Sequence, residues 1–388
     1  MLDPQWYEGR EEAFVKHTFI DSYMPDQIPK VVRYRQEFAY VDLFAGPWQS
    51  KSGDYSDTSF GIALKHMTAA KAAQARLNRN VRMVAHLVEK ENFAELQEAV
   101  KRFSDIEVHC YPGLAEAHVA HIADRIPSDA FRFVVIDPKG VPDVGNFRRL
   151  ITPRHTEVLL TFMFDFANRF AGSPSRMPTL ESWVSGLANG DTNWRAEIAR
   201  LNGTEREAAI TDAARAALGG MGDYCFAPAI TVDKAEADRP LYKLIYLTRH
   251  PVGLRVFRDA HLKALRAQAA TRTAIKVEDR ARKSGMNDLL APLTPVDPTE
   301  RSAREIENGE VAAHALLLDA ISNGPSEGLA WKDLWPRILD PCVVTEKQLG
   351  AIAARLRDEQ LIDVPGWTSK ALKRPKDDFR LRLYVREA

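Results

Sequence analysis

Apolar and polar positions follow two rhythms in the first two-fifths of the chain. From about Glu11 to Arg33 apolar residues, among them Phe14, Ile20 and Tyr23, return at helical spacing and predict a lead-in helix. Phe38-Ala39-Tyr40-Val41-Asp42-Leu43-Phe44 is then a short apolar run stopped by Ala45-Gly46-Pro47, the pattern of a buried strand and a tight turn. An alanine-rich helix follows from about Ser59 to Ala75. The run Val81 to Val88 stops at Glu89-Lys90-Glu91, before a helix from about Phe93 to Phe103. Ile106 to Cys110, a helical stretch through His118 to Ile126, and Phe131 to Ile136 ending in Asp137-Pro138-Lys139-Gly140 continue the alternation. Glu157 to Phe164 and Leu241 to Leu247 add two more apolar runs. Strands alternating with helices at this spacing predict an α/β fold, a doubly wound and mainly parallel Rossmann-like sheet of six or more strands.

The pattern changes downstream. Residues 167–238 read as a helical insertion over the carboxyl edge of the sheet. Arg255 to Lys283 is helical and basic, with nine Lys/Arg against three acidic residues. Pro292, Pro295 and Pro298 mark a linker over 286–304. Beyond it, Glu305 to Ser322, Trp331 to Ile338 and Thr345 to Glu359 read as three helices, with strands at Leu361-Ile362-Asp363 and Arg380 to Val385. Three short helices and a terminal hairpin predict a winged helix over 305–388, after a first domain over 1–285.

Composition narrows the classes. With 388 residues, 45 % hydrophobic and 27 % charged, the chain has material for one large core and a second smaller one. A net charge of zero excludes a uniformly basic nucleic-acid coat and directs attention to local patches. The last such patch holds Lys370, Lys373, Arg374, Lys376 and Arg380, candidate phosphate contacts of a wing. The three cysteines, Cys110, Cys225 and Cys342, have no CxxC spacing, so neither a disulfide framework nor a metal site is expected. The polar N-terminus and the lack of a bilayer-length apolar run predict a soluble, cytoplasmic protein with no membrane partner.

In doubly wound sheets ligands sit beyond the carboxyl ends of the strands at the switch point. Three acidic strand ends fall there: Asp42, in Asp42-Leu43-Phe44-Ala45-Gly46; Glu89, suited to accept both hydroxyls of a ribose; and Asp137, above the reactive end of a ligand. Asp137 is the candidate general base or acceptor-orienting group. A bland alternative attends each carboxylate, that of capping the next helix or bonding loop backbone.

The segments Tyr40 to Pro47, Ser59 to Leu64, Val88 to Glu91, Val135 to Gly140 and Thr248 to Gly253 together resemble the three-Cys-motif partner proteins, over roughly residues 10 to 265. The family is similar to Rossmann-type methyltransferases. The resemblance implies that Asp42, Phe44, Ala45 and Gly46 surround the methionine part of S-adenosyl-L-methionine, that Glu89 takes its ribose, and that a neighbouring radical-enzyme-like protein with three cysteines is the partner. Two positions depart from the family pattern. Trp48 replaces a glycine, its indole in the cofactor pocket or on its rim. Lys139 stands beside Asp137, as the second candidate catalytic residue, where an aromatic is usual. The expectation is an S-adenosylmethionine-dependent methyltransferase acting on or at nucleic acid. The alternatives are a non-catalytic DNA-binding adaptor, and a methyltransferase on a protein or small molecule.

Overall fold

Residues 2–46, 50–140, 142–170, 194–284, 295–367 and 372–385 are described by a computed structural model. The chain forms two compact units, Met1–Gly253 and Leu254–Ala388.

In the first unit α1 (Glu11–Val31) precedes β1 (Glu37–Asp42), α2 (Ser59–Arg76), β2 (Arg82–Glu89), α3 (Phe93–Val100), β3 (Glu107–Pro112), α4 (Ala115–Arg125) and β4 (Phe131–Ile136). Then come α5 (Arg148–Ile151), β5 (Thr156–Phe162), α6 (Phe164–Phe170), α7 (Trp194–Arg200), α8 (Gly203–Met221), β6 (Ala229–Asp233) and β7 (Pro240–Leu247). Seven strands make one sheet in the order β3-β2-β1-β4-β5-β7-β6, the first five parallel and β7 antiparallel to both its neighbours. This is the expected α/β, mostly parallel, Rossmann-like sheet flanked by helices. All residues of β1, β4 and β5 are buried, which is why these strands read as continuous apolar runs rather than alternating ones.

Local chemistry sets the element ends. The Thr58 side chain accepts from the Gly61 amide at 3.1 Å and starts α2. A Cβ on Gly61 would come within 3.0 Å of the Tyr55 carbonyl, so the first turn of α2 lies directly on the loop before it. Pro25 and Pro29 lie inside α1, removing two backbone donors; the helix persists because Phe19, Ile20, Tyr23, Met24 and Ile28 are fully buried.

Part of the expected insertion is a strand. β6 runs antiparallel to β7, so the segment before Asp238 completes the sheet. Residues 171–193 of that insertion, and 286–294 of the expected linker, lie outside the described residues.

The second unit takes most of α9 (Pro251–Ser284), which the sequence pattern groups with the first domain. It continues with α10 (Arg301–Ser322), β8 (Leu329–Ala330), α11 (Trp331–Leu339), α12 (Glu346–Asp358), β9 (Ile362–Asp363) and β10 (Arg380–Leu383). The strands form a sheet in the order β8-β10-β9. Trp331, Leu334, Leu349, Leu356 and Leu381 are buried in its core. Thr345 and Gln348 form a reciprocal capping box at the start of α12. Among the described residues no helix is long and apolar enough to cross a membrane.

Part of the basic character of α9 is used inside this unit. Arg258 is buried and donates to the Leu339 and Asp340 carbonyls. Arg272 and Lys276 pair with the fully buried Glu300 carboxylate, and Arg255 pairs with Glu346 at 2.8 Å. Four of the nine basic side chains of this run therefore staple the helix to its own unit, while Lys263, Arg266, Arg280, Arg282 and Lys283 are exposed.

Candidate functional site

A cleft of about 570 Å³ opens beyond the carboxyl ends of β1, β2 and β4. Its position follows from the strand order, because the connections leave β1 and β4 in opposite directions and part there. Phe44, Gly46, Glu89, Asp137 and Lys139 all line it, joined by Arg10, Lys16 and His17 from the start of α1.

The loop after β1 is tied to both neighbouring strands. The Leu43 amide donates to the Val135 carbonyl at 3.1 Å and the Ala45 amide to the Val88 carbonyl at 2.9 Å. Asp42 lies beneath this loop, fully buried and outside the cleft lining. Its Oδ1 accepts from the Phe44 amide at 3.1 Å, and its Oδ2 from Ser59 Oγ at 2.6 Å and Tyr40 Oη at 3.0 Å. Burial raises the Asp42 pKa, and these donors oppose the rise. Asp42 thus holds the turn that shapes the cleft. Ala45 is likewise buried behind the lining, while Phe44 meets Phe147 edge-on at 6.3 Å.

Glu89 occupies a different position. Its Oε1 accepts from the amides of Glu91 at 2.7 Å and Asn92 at 2.8 Å, which fixes the carboxylate at the mouth of β2. Its Oε2 has no partner among the described residues. Asp137 is paired through Oδ2 with Lys16, 121 positions earlier, leaving Oδ1 without a described partner. Lys139 is exposed and reaches Glu91 Oε2 at 3.4 Å. Trp48 and Lys370 lie outside the described residues.

The α1 contribution is not anticipated by the sequence pattern. Arg10 pairs with Asp57, whose carboxylate also accepts from Ser50 Oγ at 2.5 Å, the Lys51 amide at 2.7 Å and Ser52 Oγ at 2.7 Å. Burial works against the charged form of Asp57, but these donors and Arg10 outweigh it and lower the pKa. His17, buried against Tyr7 Oη at 3.1 Å, has its pKa driven well down by burial and by Lys16 and Arg10, so it stays neutral. The available sequence signal is three basic side chains, Arg10, Lys16 and His17, at the start of an otherwise apolar-faced helix.

In the second unit the expected wing residues divide. Arg374 pairs with the buried Glu346, and Arg380 donates to the Gly328 carbonyl at 2.7 Å, whereas Lys373 and Lys376 are exposed. The segment around Arg374 lies on α12: a Cβ on Gly350 would come within 3.0 Å of the Arg374 Cβ. Among the described residues no group of three or more His, Cys, Asp or Glu side chains is placed to hold a metal ion.

Fold and site together define a Rossmann-like α/β unit with a polar cleft at its switch point. Comparison with protein-family models, curated proteins and solved structures finds no match for the chain.

Proposed function

We propose that the first unit is an S-adenosylmethionine-dependent methyltransferase, similar to the three-Cys-motif partner proteins whose motifs it resembles. The observation that carries this reading is Glu89, held by two backbone amides so that Oε2 is left for a ribose hydroxyl. Charge supports it. Five carboxylates, Asp57, Glu89, Glu91, Glu116 and Asp137, line the cleft against four cations, Arg10, Lys16, Lys90 and Lys139. That balance suits a cationic sulfonium better than a dinucleotide's pyrophosphate. The chain also lacks the short glycine-rich turn of dinucleotide folds after β1, running instead from Leu43 to Thr58 before α2 begins.

Bound S-adenosylmethionine would supply an activated methyl group, so the residues here need mainly to align an acceptor. Lys16 keeps Asp137 oriented, and Asp137 Oδ1 accepts the acceptor's proton or hydrogen bond. Lys139, exposed at the rim, contributes charge rather than a stacking ring.

The acceptor we favour is nucleic acid. In the second unit the order helix, strand, helix, helix, strand, strand supports a winged helix, with Lys347 and Arg355 exposed on α12, Lys373 lining one cavity with Lys347, and Lys376 exposed. The internal pairing of Arg374 and Arg380 favours a second reading, in which this module docks protein, including the three-cysteine partner the resemblance implies.

The deciding experiment is calorimetric titration of the protein with S-adenosylmethionine and its demethylated product. Micromolar binding by the wild type, weakened at least tenfold by Glu89→Ala, is expected. No binding by the wild type would sink the methyltransferase reading and leave the adaptor.

A further inference from the structure

A second cleft, of about 520 Å³, lies at the opposite edge of the same sheet, where the amino ends of β4 and β5 meet the far end of β7 and the last turn of α1. Its floor is organised by Glu157. This buried carboxylate accepts from Tyr23 Oη, from Gln27 Nε2 at 2.8 Å and from Thr248 Oγ1 at 2.8 Å, and so is already saturated. Because Gln27 turns its amide nitrogen to Glu157, its Oε1 is left with no partner among the described residues, although Gln27 is only 4 % exposed. A buried polar atom without a partner is costly, and the Gln27 side chain, on the α1 face with Glu157, leaves one such oxygen at this cleft.

The rim differs in character. Tyr34 is 82 % exposed, which leaves its ring open to stacking by a ligand. Beside it stand Arg154, exposed and without a described partner, and Arg35, which donates to His155 Nδ1 at 3.1 Å. Burial and these two arginines lower the His155 pKa, so the imidazole is neutral near pH 7 and the arginines set the local charge. Glu157 is the one carboxylate in the lining.

We propose that this amino-edge cleft binds a nucleotide. The base stacks on Tyr34, a donor of the base or ribose satisfies Gln27 Oε1, and the phosphate meets Arg154 and Arg35. Apolar, polar and cationic groups then each meet the part of a nucleotide they suit, within a volume ordinary for a small ligand. The Thr248 to Gly253 segment acquires a reason: Thr248 fixes Glu157, and Gly253 lies so close that a Cβ would come within 3.0 Å of the Glu157 carboxylate. The site stands apart from the carboxyl-edge cleft and does not depend on the methyltransferase reading.

The test uses the full chain with two probes, adenosine 5′-monophosphate and an adenine pentanucleotide. Calorimetry should show binding by the wild type that Tyr34→Ala and Arg154→Glu each weaken at least tenfold, and that Tyr34→Phe preserves. Glu89→Ala should leave binding unchanged, which separates this site from the cofactor cleft. Equal affinity for the two probes would point to a free nucleotide, and tighter binding of the pentanucleotide with the same losses to a strand. Failure of the wild type to bind either probe would overturn the proposal. So would binding indifferent to Tyr34→Ala and Arg154→Glu, or binding lost in Glu89→Ala alone.

Discussion

Arg272 and Glu300 pair at 2.8 Å with side chains 2 % and 0 % exposed, and Lys276 reaches the other carboxylate oxygen. Removing one member of such a group strands a charge in the interior, so Glu300→Ala should destabilise the second unit by about 3–5 kcal/mol. Arg272→Met combined with Glu300→Leu should cost far less, and denaturant unfolding of the two variants measures the difference. In the first unit His86 is buried beside Tyr111 Oη, and burial pushes its pKa down from 6.5 to about 3. The folded state therefore keeps this imidazole neutral while the unfolded chain protonates it. Its contribution to stability is full above pH 6.5 and is lost progressively as pH falls from there towards 3. His86→Gln should flatten the fall in stability between pH 6 and 5 by about one proton's worth, roughly 1.4 kcal/mol per pH unit. An unchanged slope in chemical denaturation would mean that His86 titrates normally.

Elements differ in how plainly the sequence declares them. β1, β2, β4, β5 and β7 are legible because strands buried on both faces are written as unbroken apolar runs. β6 is not: Ala229-Ile230-Thr231-Val232-Asp233 is short, mixed and set in a polar stretch, and only pairing with β7 makes it a strand. The helices of the second unit are legible from periodicity, and the Thr345/Gln348 capping box is visible as a pattern. The role of the α9 charges is hidden, since pairing with Glu300 and Glu346 is a long-range event. The same holds for the site. The acidic strand ends Glu89 and Asp137 can be placed from strand order alone, but Lys16 cannot, and Asp42 supports the turn rather than lining the cleft. At the junction of β7 and α9, Gly253→Ala should cost about 1–3 kcal/mol by crowding Glu157 and Thr248, readable as a lower melting temperature. A neutral outcome would show that the helix start can shift.

For the molecule as a whole, zero net charge leaves nucleic-acid affinity to a few side chains. If the second unit binds DNA, Lys373→Ala with Lys376→Ala should lower the salt slope of binding by about 2, one unit for each phosphate that is no longer neutralised. An unaltered slope would favour protein docking. Arg374→Ala should act instead through stability, because its partner Glu346 is buried. In the first unit α1 reaches both edges of the sheet, with Lys16 and His17 lining one cleft and Gln27 and Lys30 the other. Pro25 and Pro29 break its backbone ladder between the first pair and the last residues of the helix. In amide-exchange terms the last turns lack two reporters, while buried Gln27, Ile28 and Val31 pin them to the core, so exchange there should report opening of the whole unit rather than fraying of one helix end.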